Sequence, residues 1–162
     1  MMFFLFELIN KIYFWVFKKY TLNKVSKDSG EFYLFGYVTL ENPGNITIGK
    51  GSTLNQGAYI SGHDRVFIGE RVSISTGAKI ITAYLDESNL IHKGEQDIHL
   101  SKPVYIGNNT QIGAGAIVLP GVSVGADCIV GAGSVVTRNI SDGIVVVGNP
   151  AREIRKVKYN ES

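Results

Sequence analysis

The stretch VYIGNNTQIGAGAIVLPGVSVGADCIVGAGSVV, residues 104–136, decides the fold because it places an aliphatic side chain at every sixth position. These side chains are Ile106, Ile112, Val118, Val124, Val130 and Val136. An amphipathic helix repeats every 3.6 residues and a half-buried strand every 2, so neither has this period. Six is a multiple of two, which allows each repeat to hold one short strand followed by a corner.

The positions between the aliphatic residues support this unit. A small or β-branched residue lies four positions after each aliphatic one, at Thr110, Ala116, Val122, Cys128 and Ser134. Three units make one triangular coil, and stacked coils form a parallel β-helix with the aliphatic ladder inside. We therefore predict an all-β chain of this architecture. An ordinary β-sandwich is the alternative, but its strands would not keep so strict a register over six units.

The same period occurs earlier in the chain and is interrupted twice. Steps of six link Ile48, Leu54 and Ile60, and then Ile68, Ile74 and Ile80. The step from Ile60 to Ile68 inserts two residues around His63, and the step from Ile80 to Ile106 inserts a longer segment. A solenoid accepts insertions only as loops, which often build binding sites. Residues 82–103 are therefore the first place to look for function.

Composition narrows the class of protein. The 162 residues, of which 44% are hydrophobic and 19 are glycine, predict one globular domain with glycines at the repeat corners. A net charge of +2 without a long basic run argues against a nucleic-acid binder. The single cysteine, Cys128, falls on a small inward position and is predicted to be a reduced core residue. We predict no metal.

The N-terminal stretch MMFFLFELINKIYFWVFKKY, residues 1–20, has the strongest pattern outside the repeat. As a helix it carries Glu7, Asn10, Lys11 and Lys18 on one narrow stripe. Its uncharged run is too short and interrupted to span a bilayer, and it lacks the features of a signal peptide. Two compatible interpretations remain: the helix caps the open end of the β-helix, or it makes a peripheral membrane contact with its lysines near the headgroups. We divide the chain into a helical segment (1–30), a β-helix (31–150) and a basic C-terminal tail or short helix (151–162).

The hexads, the stretch KPVYIGNNTQIGAGAIVLPGVSVGADCIVGAGSVVTRNI and the ending VVVGNPAREIRK resemble the hexapeptide-repeat acyltransferases. The similarity is greatest to the branch of maltose, galactoside, xenobiotic and polysaccharide O-acetyltransferases. It implies a left-handed parallel β-helix with a protruding loop, and a homotrimer with active sites in the clefts between subunits. It also implies transfer of an acetyl group from acetyl-CoA. The left hand comes from the resemblance alone, because crossover connections are generally right-handed.

Acyl transfer to a hydroxyl needs a base and hydrogen-bond donors for the oxyanion, and histidine is the usual base. The resemblance places the catalytic histidine at residue 83, where this chain has Ala83. We predict His99 as the base, because Pro103, four residues later, returns the chain to the β-helix. Asp97 or Glu95 would orient its imidazole. His92 is the second candidate and His63 the third.

The resemblance also suggests the binding residues. Asn55 and Asp86 are predicted to contact the acceptor, although a corner residue and a loop-shaping residue are the simpler alternatives. Backbone groups and basic side chains suit the amides and phosphates of acetyl-CoA. The predicted cofactor residues are Gly113 and Ala114 near the thioester, Ala132 and Gly133 along the arm, and Thr137, Arg138, Arg152 and Lys156 near the phosphates. Gln111 departs from the tryptophan common at its position.

Together these observations predict an acetyl-CoA-dependent O-acetyltransferase for a sugar hydroxyl. The expected role is capsule, lipopolysaccharide or exopolysaccharide biosynthesis, in the cytoplasm or at the inner face of the membrane. One alternative is a soluble acetyltransferase for a small acceptor such as an amino sugar, serine or an antibiotic. Another is a non-catalytic or metal-binding β-helix trimer, which the spacing of the three histidines does not favour.

Overall fold

The computed structural model describes residues 2–94 and 98–159, with side chains for all of these except residues 2–4 and 92. Helix α1 spans Met2–Leu22, and eighteen short strands follow within the described residues. The first nine are β1 Tyr33–Phe35, β2 Thr39–Glu41, β3 Ile46–Ile48, β4 Thr53–Asn55, β5 Tyr59–Ser61, β6 Val66–Ile68, β7 Ser73–Ile74, β8 Lys79–Ile80 and β9 Ala83–Leu85. The second nine are β10 His99–Ser101, β11 Val104–Ile106, β12 Gln111–Ile112, β13 Ile117–Val118, β14 Ser123–Val124, β15 Ile129–Val130, β16 Val135–Val136, β17 Ile144–Val147 and β18 Arg152–Lys156. Two 3₁₀ helices lie at Pro43–Asn45 and Glu87–His92.

The strands run round a triangular prism with three faces. Face A holds β1, β4, β7, β12, β15, β17 and β18; face B holds β2, β5, β8, β13 and β16; face C holds β3, β6, β11 and β14. Each strand of the prism pairs with strands of adjacent coils, and the pairing is parallel except between β17 and β18. Face A holds six parallel strands, one from each coil, so the β-helix has about six coils. This stacked architecture is the one that the period of six residues predicts.

The aliphatic ladder fills the prism as predicted. In face A, Leu54 lies beside Ile74 and Ile112 beside Val130, and all four are fully buried. Buried corner residues are polar where a backbone group needs a partner. Thr110 Oγ1 donates to the Gly125 carbonyl (2.7 Å) and accepts from the Cys128 amide (3.1 Å). A buried hydroxyl thus joins successive coils without leaving an unpaired polar group.

Cys128 is fully buried at an inward corner position, as predicted for a core thiol. Desolvation raises the pKa of its thiol. The coils also approach each other closely at these corners. A Cβ at Gly107 would lie 2.4 Å from the Ala126 amide nitrogen, so a larger residue there would force the coils apart.

The sequence predicts a basic tail or short helix for residues 151–162, but within them Arg152–Lys156 form a strand. After a turn at residues 148–151, β18 runs back antiparallel to β17. The reason is the unpaired edge that the last coil of a β-helix leaves behind. Residues Arg152–Lys156 pair with this edge and satisfy its backbone groups, which so short a helix would leave unpaired.

Helix α1 packs against the first coil along one side. The rings of Phe14 and Phe17 contact the Tyr37 ring, with centroid separations of 5.5 and 5.0 Å, and Thr21 is buried. Phe17 and Leu22 pack on the hydrophobic core. Within the described residues no helix is long and apolar enough to cross a membrane.

Candidate active site

Three insertions leave the β-helix at the same edge of the prism. The chain passes from face B to face C at residues 42–45, 62–65 and 82–103, in three successive coils. The same edge continues in the next coils at residues 119–122 and 137–140 without an insertion, because the step between aligned core residues is six from Val118 to Val124, against eight from Leu40 to Ile48 and from Ile60 to Ile68. We call this line of five corners the loop edge. The insertions stack along this edge, so the side chains that are not part of the repeat are collected there.

The long insertion is an ordered hairpin at its base. Strands β9 and β10 pair antiparallel, with Ala83 opposite Ser101 and Leu85 opposite His99. The Lys102 amide donates to the Thr82 carbonyl (2.9 Å), which ties the base to the coil. The Lys102 ammonium also lies 5.1 Å from the centroid of the Tyr84 ring, a cation–π contact. The hairpin therefore holds its side chains in defined positions.

His99 lies on β10 with its side chain exposed. Directly opposed residues share one face of a hairpin, and so do residues two apart on one strand. His99 is consequently on the same face as Leu85 and Ala83. The diagonal separation from His99 to Ala83 in such a pair is roughly 7–8 Å between Cα atoms. His99 therefore occupies the side of the hairpin on which the resemblance placed the missing histidine.

His63 has a more specific setting than its sequence context indicated. Its Nε2 lies 3.3 Å from Glu41 Oε2, the oxygen that also accepts a hydrogen bond from the Tyr59 hydroxyl (2.6 Å). That hydrogen bond raises the pKa of Tyr59. A carboxylate only accepts, so Nε2 carries the proton in the neutral ring and Nδ1 keeps its lone pair. His63 is thus an imidazole oriented by a carboxylate, the arrangement typical of a base.

The corner that holds His63 touches the base of the hairpin. The Asp64 amide donates to Thr82 Oγ1 (3.1 Å), and that hydroxyl donates to the Ser61 carbonyl (2.7 Å). The structure therefore places His63 and the hairpin of His99 at adjacent corners of the loop edge, joined by this hydrogen bond. Sequence reasoning missed Glu41 as the partner of His63. The 20-residue length of the first coils could have indicated it, because that length places Glu41 beside Ser61, next to the corner of His63.

Asp86 shapes the loop, the simpler of its two sequence interpretations. Its carboxylate accepts from the Ser88 amide (3.0 Å), the Ser88 hydroxyl (2.6 Å) and the Asn89 side-chain amide (2.7 Å). These hydrogen bonds begin the 3₁₀ helix Glu87–His92 and lower the pKa of Asp86. Because the folded pKa is depressed, the cap is complete above the ordinary carboxyl pKa and weakens as the pH falls through the lowered value.

Replacing Asp86 with alanine is expected to loosen the start of this 3₁₀ helix. The Ser88 amide loses its acceptor, so we expect its hydrogen exchange to become several-fold faster at neutral pH while the β-helix amides keep their protection. Glu87→Ala removes the same charge one residue along and is the control. Equal exchange rates in the two variants would contradict the capping role.

The remaining acceptor and catalytic candidates are less well placed. Asn55 ends β4 on face A, where its Nδ2 donates to the Ile74 carbonyl (2.9 Å), a contact between coils. His92 ends the 3₁₀ helix, but its side chain is not described. Asp97 and Glu95, proposed to orient His99, lie outside the described residues.

A cavity of about 490 Å³ at the C-terminal end of the β-helix collects three predicted cofactor residues. Arg138 from the loop edge and Arg152 and Lys156 from β18 line it, over an apolar floor that includes Ile144 and Val146. Asp142 and Glu153 also line it. Asp142 is engaged with the Ala126 amide (2.8 Å). The cavity can hold an apolar ring system and pair its cations with phosphates.

The other predicted cofactor residues lie on a second edge. The edge between faces A and B, which we call the glycine edge, carries Gly113, Ala114, Ala132 and Gly133. Ala114 and Ala132 are exposed, and Gly133 has open space at its Cβ position. Gly113 is buried, and a Cβ there would lie 2.5 Å from the Val130 carbonyl oxygen, so coil packing requires this glycine. Thr137 is exposed on the loop edge beside Arg138.

Residues 103–138 match a family model described as bacterial transferase hexapeptide (six repeats). The chain is 37% identical over 118 residues to a galactoside O-acetyltransferase of Lactococcus lactis subsp. lactis (strain IL1403), which covers 72% of this chain and 56% of that relative. A maltose O-acetyltransferase structure from Clostridium difficile 630 aligns with a TM-score of 0.79 and 29% identity, covering 88% of this chain and 75% of that one. A galactoside acetyltransferase in complex with coenzyme A aligns with a TM-score of 0.69 and 28% identity, over 78% and 66% of the two chains.

These similarities confirm the predicted left-handed parallel β-helix. The chain spans just over half the length of the curated relatives it matches.

Proposed function

We propose that this chain, which is similar in sequence and fold to the hexapeptide-repeat acetyltransferases, transfers an acetyl group from acetyl-CoA to a sugar hydroxyl. The observation that carries the proposal is the cavity in which Arg138, Arg152 and Lys156 meet. Arg138 lies on the loop edge two coils beyond the hairpin, roughly 10 Å away at the spacing of parallel strands. A long ligand whose phosphates bind in the cavity can extend toward the hairpin with its thioester.

His99 is proposed to act as the base. It takes the proton of the acceptor hydroxyl as that oxygen attacks the thioester carbonyl. The tetrahedral oxyanion then collapses, the carbon–sulfur bond breaks, and the CoA sulfur leaves with the proton that His99 returns. Support for His99 is its position on the same face of the hairpin as Ala83. His63, oriented by Glu41 at the adjacent corner of the loop edge, is the competing base.

A homotrimer is proposed to complete the site. The predicted cofactor residues lie on two edges of one prism, separated by face B. A cleft between neighbouring protomers would bring the glycine edge of one protomer opposite the loop edge of the next. This arrangement would also bring the alanines of the glycine edge to the extended ligand.

The acceptor is proposed to be a sugar of a surface polysaccharide, modified during its biosynthesis. The names of the galactoside and maltose acetyltransferases among the relatives support a sugar acceptor. The apolar helix α1 supports a peripheral membrane location, beside acceptors carried on lipid.

Titration of acetyl-CoA into the purified protein tests the proposal without knowledge of the acceptor. We expect saturable binding near one site per chain, and a loss of about 10–100-fold in affinity for Arg138→Ala, the effect of removing a charge-assisted phosphate contact. Arg155→Ala is the matched control, because Arg155 lies on β18 but its side chain does not line the cavity. No heat of binding to the folded protein would refute the proposed donor.

A further inference from the structure

We propose that helix α1 docks on a membrane surface that carries anionic lipid headgroups. This inference deepens the peripheral location proposed above, but it depends on α1 alone and not on the transferase chemistry. It is drawn from the side of the helix that faces away from the β-helix.

The outward side of α1 is apolar except for Lys19 near the C-terminal end of the helix. It comprises Leu5, Phe6, Leu8, Ile9, Ile12, Tyr13, Trp15, Val16 and Tyr20, which we call the apolar face. Their side chains are between 42% and 67% exposed. A soluble protein rarely leaves so many large apolar side chains together in water, and such patches mark interaction sites.

The apolar face is separate from the side that packs on the β-helix. At 3.6 residues per turn, Phe14, Phe17 and Thr21 fall on one side of the helix, and the apolar face covers about the opposite half of the circumference. An ordinary surface helix has one apolar side and uses it for packing. Here packing against Tyr37 uses one side, so the apolar face needs a second partner.

The charges around the apolar face indicate what that partner is. Lys18 and Lys19 lie in the last turns of α1 and Lys24 just beyond it, whereas Glu7 is the one acidic residue within Met2–Leu22. Lys19 Nζ lies 5.4 Å from the Trp15 ring centroid, and Lys24 Nζ lies 5.3 Å from the Tyr20 ring centroid.

This combination fits the boundary between headgroups and acyl chains. Tryptophan and tyrosine concentrate at that depth, and lysines extend from it toward lipid phosphates. Lys19 and Lys24 are held beside such rings, so aliphatic side chains such as Ile12 can enter the acyl region while the ammonium groups stay among the headgroups. A parallel bundle of α1 helices from several copies would instead crowd the lysines together, which disfavours self-association through this face.

Co-sedimentation of the full chain with vesicles tests the inference. We expect binding to phosphatidylcholine vesicles that contain phosphatidylserine, and weaker binding to phosphatidylcholine alone. Ile12→Glu places a charge in the apolar face and is expected to reduce binding at least tenfold. Ile91→Glu makes the same change at a side chain that is 86% exposed on the loop, and should bind like the unaltered protein.

A second experiment tests whether the lysines of α1 recognise anionic headgroups. Lys18→Gln combined with Lys19→Gln is expected to weaken binding to the anionic vesicles by roughly 25-fold, about fivefold for each lysine, and to change binding to phosphatidylcholine little. Equal losses on both kinds of vesicle would overturn the role of anionic headgroups.

Other results would overturn membrane docking itself. These are no vesicle binding by the unaltered chain, no effect of Ile12→Glu, or self-association that Ile12→Glu abolishes in the absence of vesicles. Acetyl-CoA titration of each variant separates this inference from the proposed function. Lost vesicle binding with retained acetyl-CoA binding in Ile12→Glu supports docking. Retained vesicle binding together with retained acetyl-CoA binding in that variant would refute docking while leaving the transferase proposal intact.

Discussion

Replacement of His99 by alanine is expected to slow acetyl transfer by about 10²–10⁴-fold, the usual contribution of a positioned general base. His99 is exposed on the hairpin, and β9 pairs with β10 through the backbone. We therefore expect acetyl-CoA to bind the variant with unchanged affinity. The release of CoA, measured with sugars found in an acceptor screen, gives the rate.

His63→Ala is the matched variant for this experiment. Its side chain is half exposed and lies at the adjacent corner of the loop edge. If His99 is the base, His63→Ala retains most of its turnover. If the rate collapses in His63→Ala and survives in His99→Ala, the base is the imidazole held by Glu41, and the assignment of His99 is wrong. Glu41→Gln would then reproduce part of the loss, because it removes the carboxylate that orients His63.

The fold could be predicted from the sequence because one geometric repeat dictates it. Every coil needs an inward aliphatic residue on each face, so Ile106, Ile112 and Val118 report three faces in turn. The strand β18 could not be predicted in this way. Its pairing depends on the unpaired edge of β17, which exists only after the last coil has formed.

The candidate site was predicted in part for a similar reason. The insertion at residues 82–103 lies on the loop edge, and Arg138 and Arg152 line one cavity, but their functional roles stay predictions. The contact between His63 and Glu41 was missed because these residues are not neighbours in the sequence and have no motif spacing. The first coils hold 20 residues each, and this register stacks the corner after Glu41 on the corner that holds His63. The sequence pattern alone located the two inserted residues at the corner of His63 but not those at the corner after Glu41.

A large loss of stability is expected when a residue of the aliphatic ladder inside the prism is truncated. Ile74 is fully buried in face A, with Leu54 on one side and Ile112 on the other. Ile74→Ala leaves a cavity between two coils that backbone hydrogen bonds hold in register, so the neighbours can close it only partly. We expect a loss of about 2–5 kcal/mol in the free energy of unfolding.

Chemical denaturation of Ile74→Ala and Ile91→Ala measures this loss against a matched control. Ile91 is 86% exposed on the loop, so its truncation is expected to change the free energy of unfolding by less than about 0.5 kcal/mol. Similar values for the two variants would mean that the interior of the prism is not packed as described. A large loss for Ile74→Ala alone would instead show that the aliphatic ladder supplies the stability of the β-helix. His63 and the hairpin are carried on that scaffold.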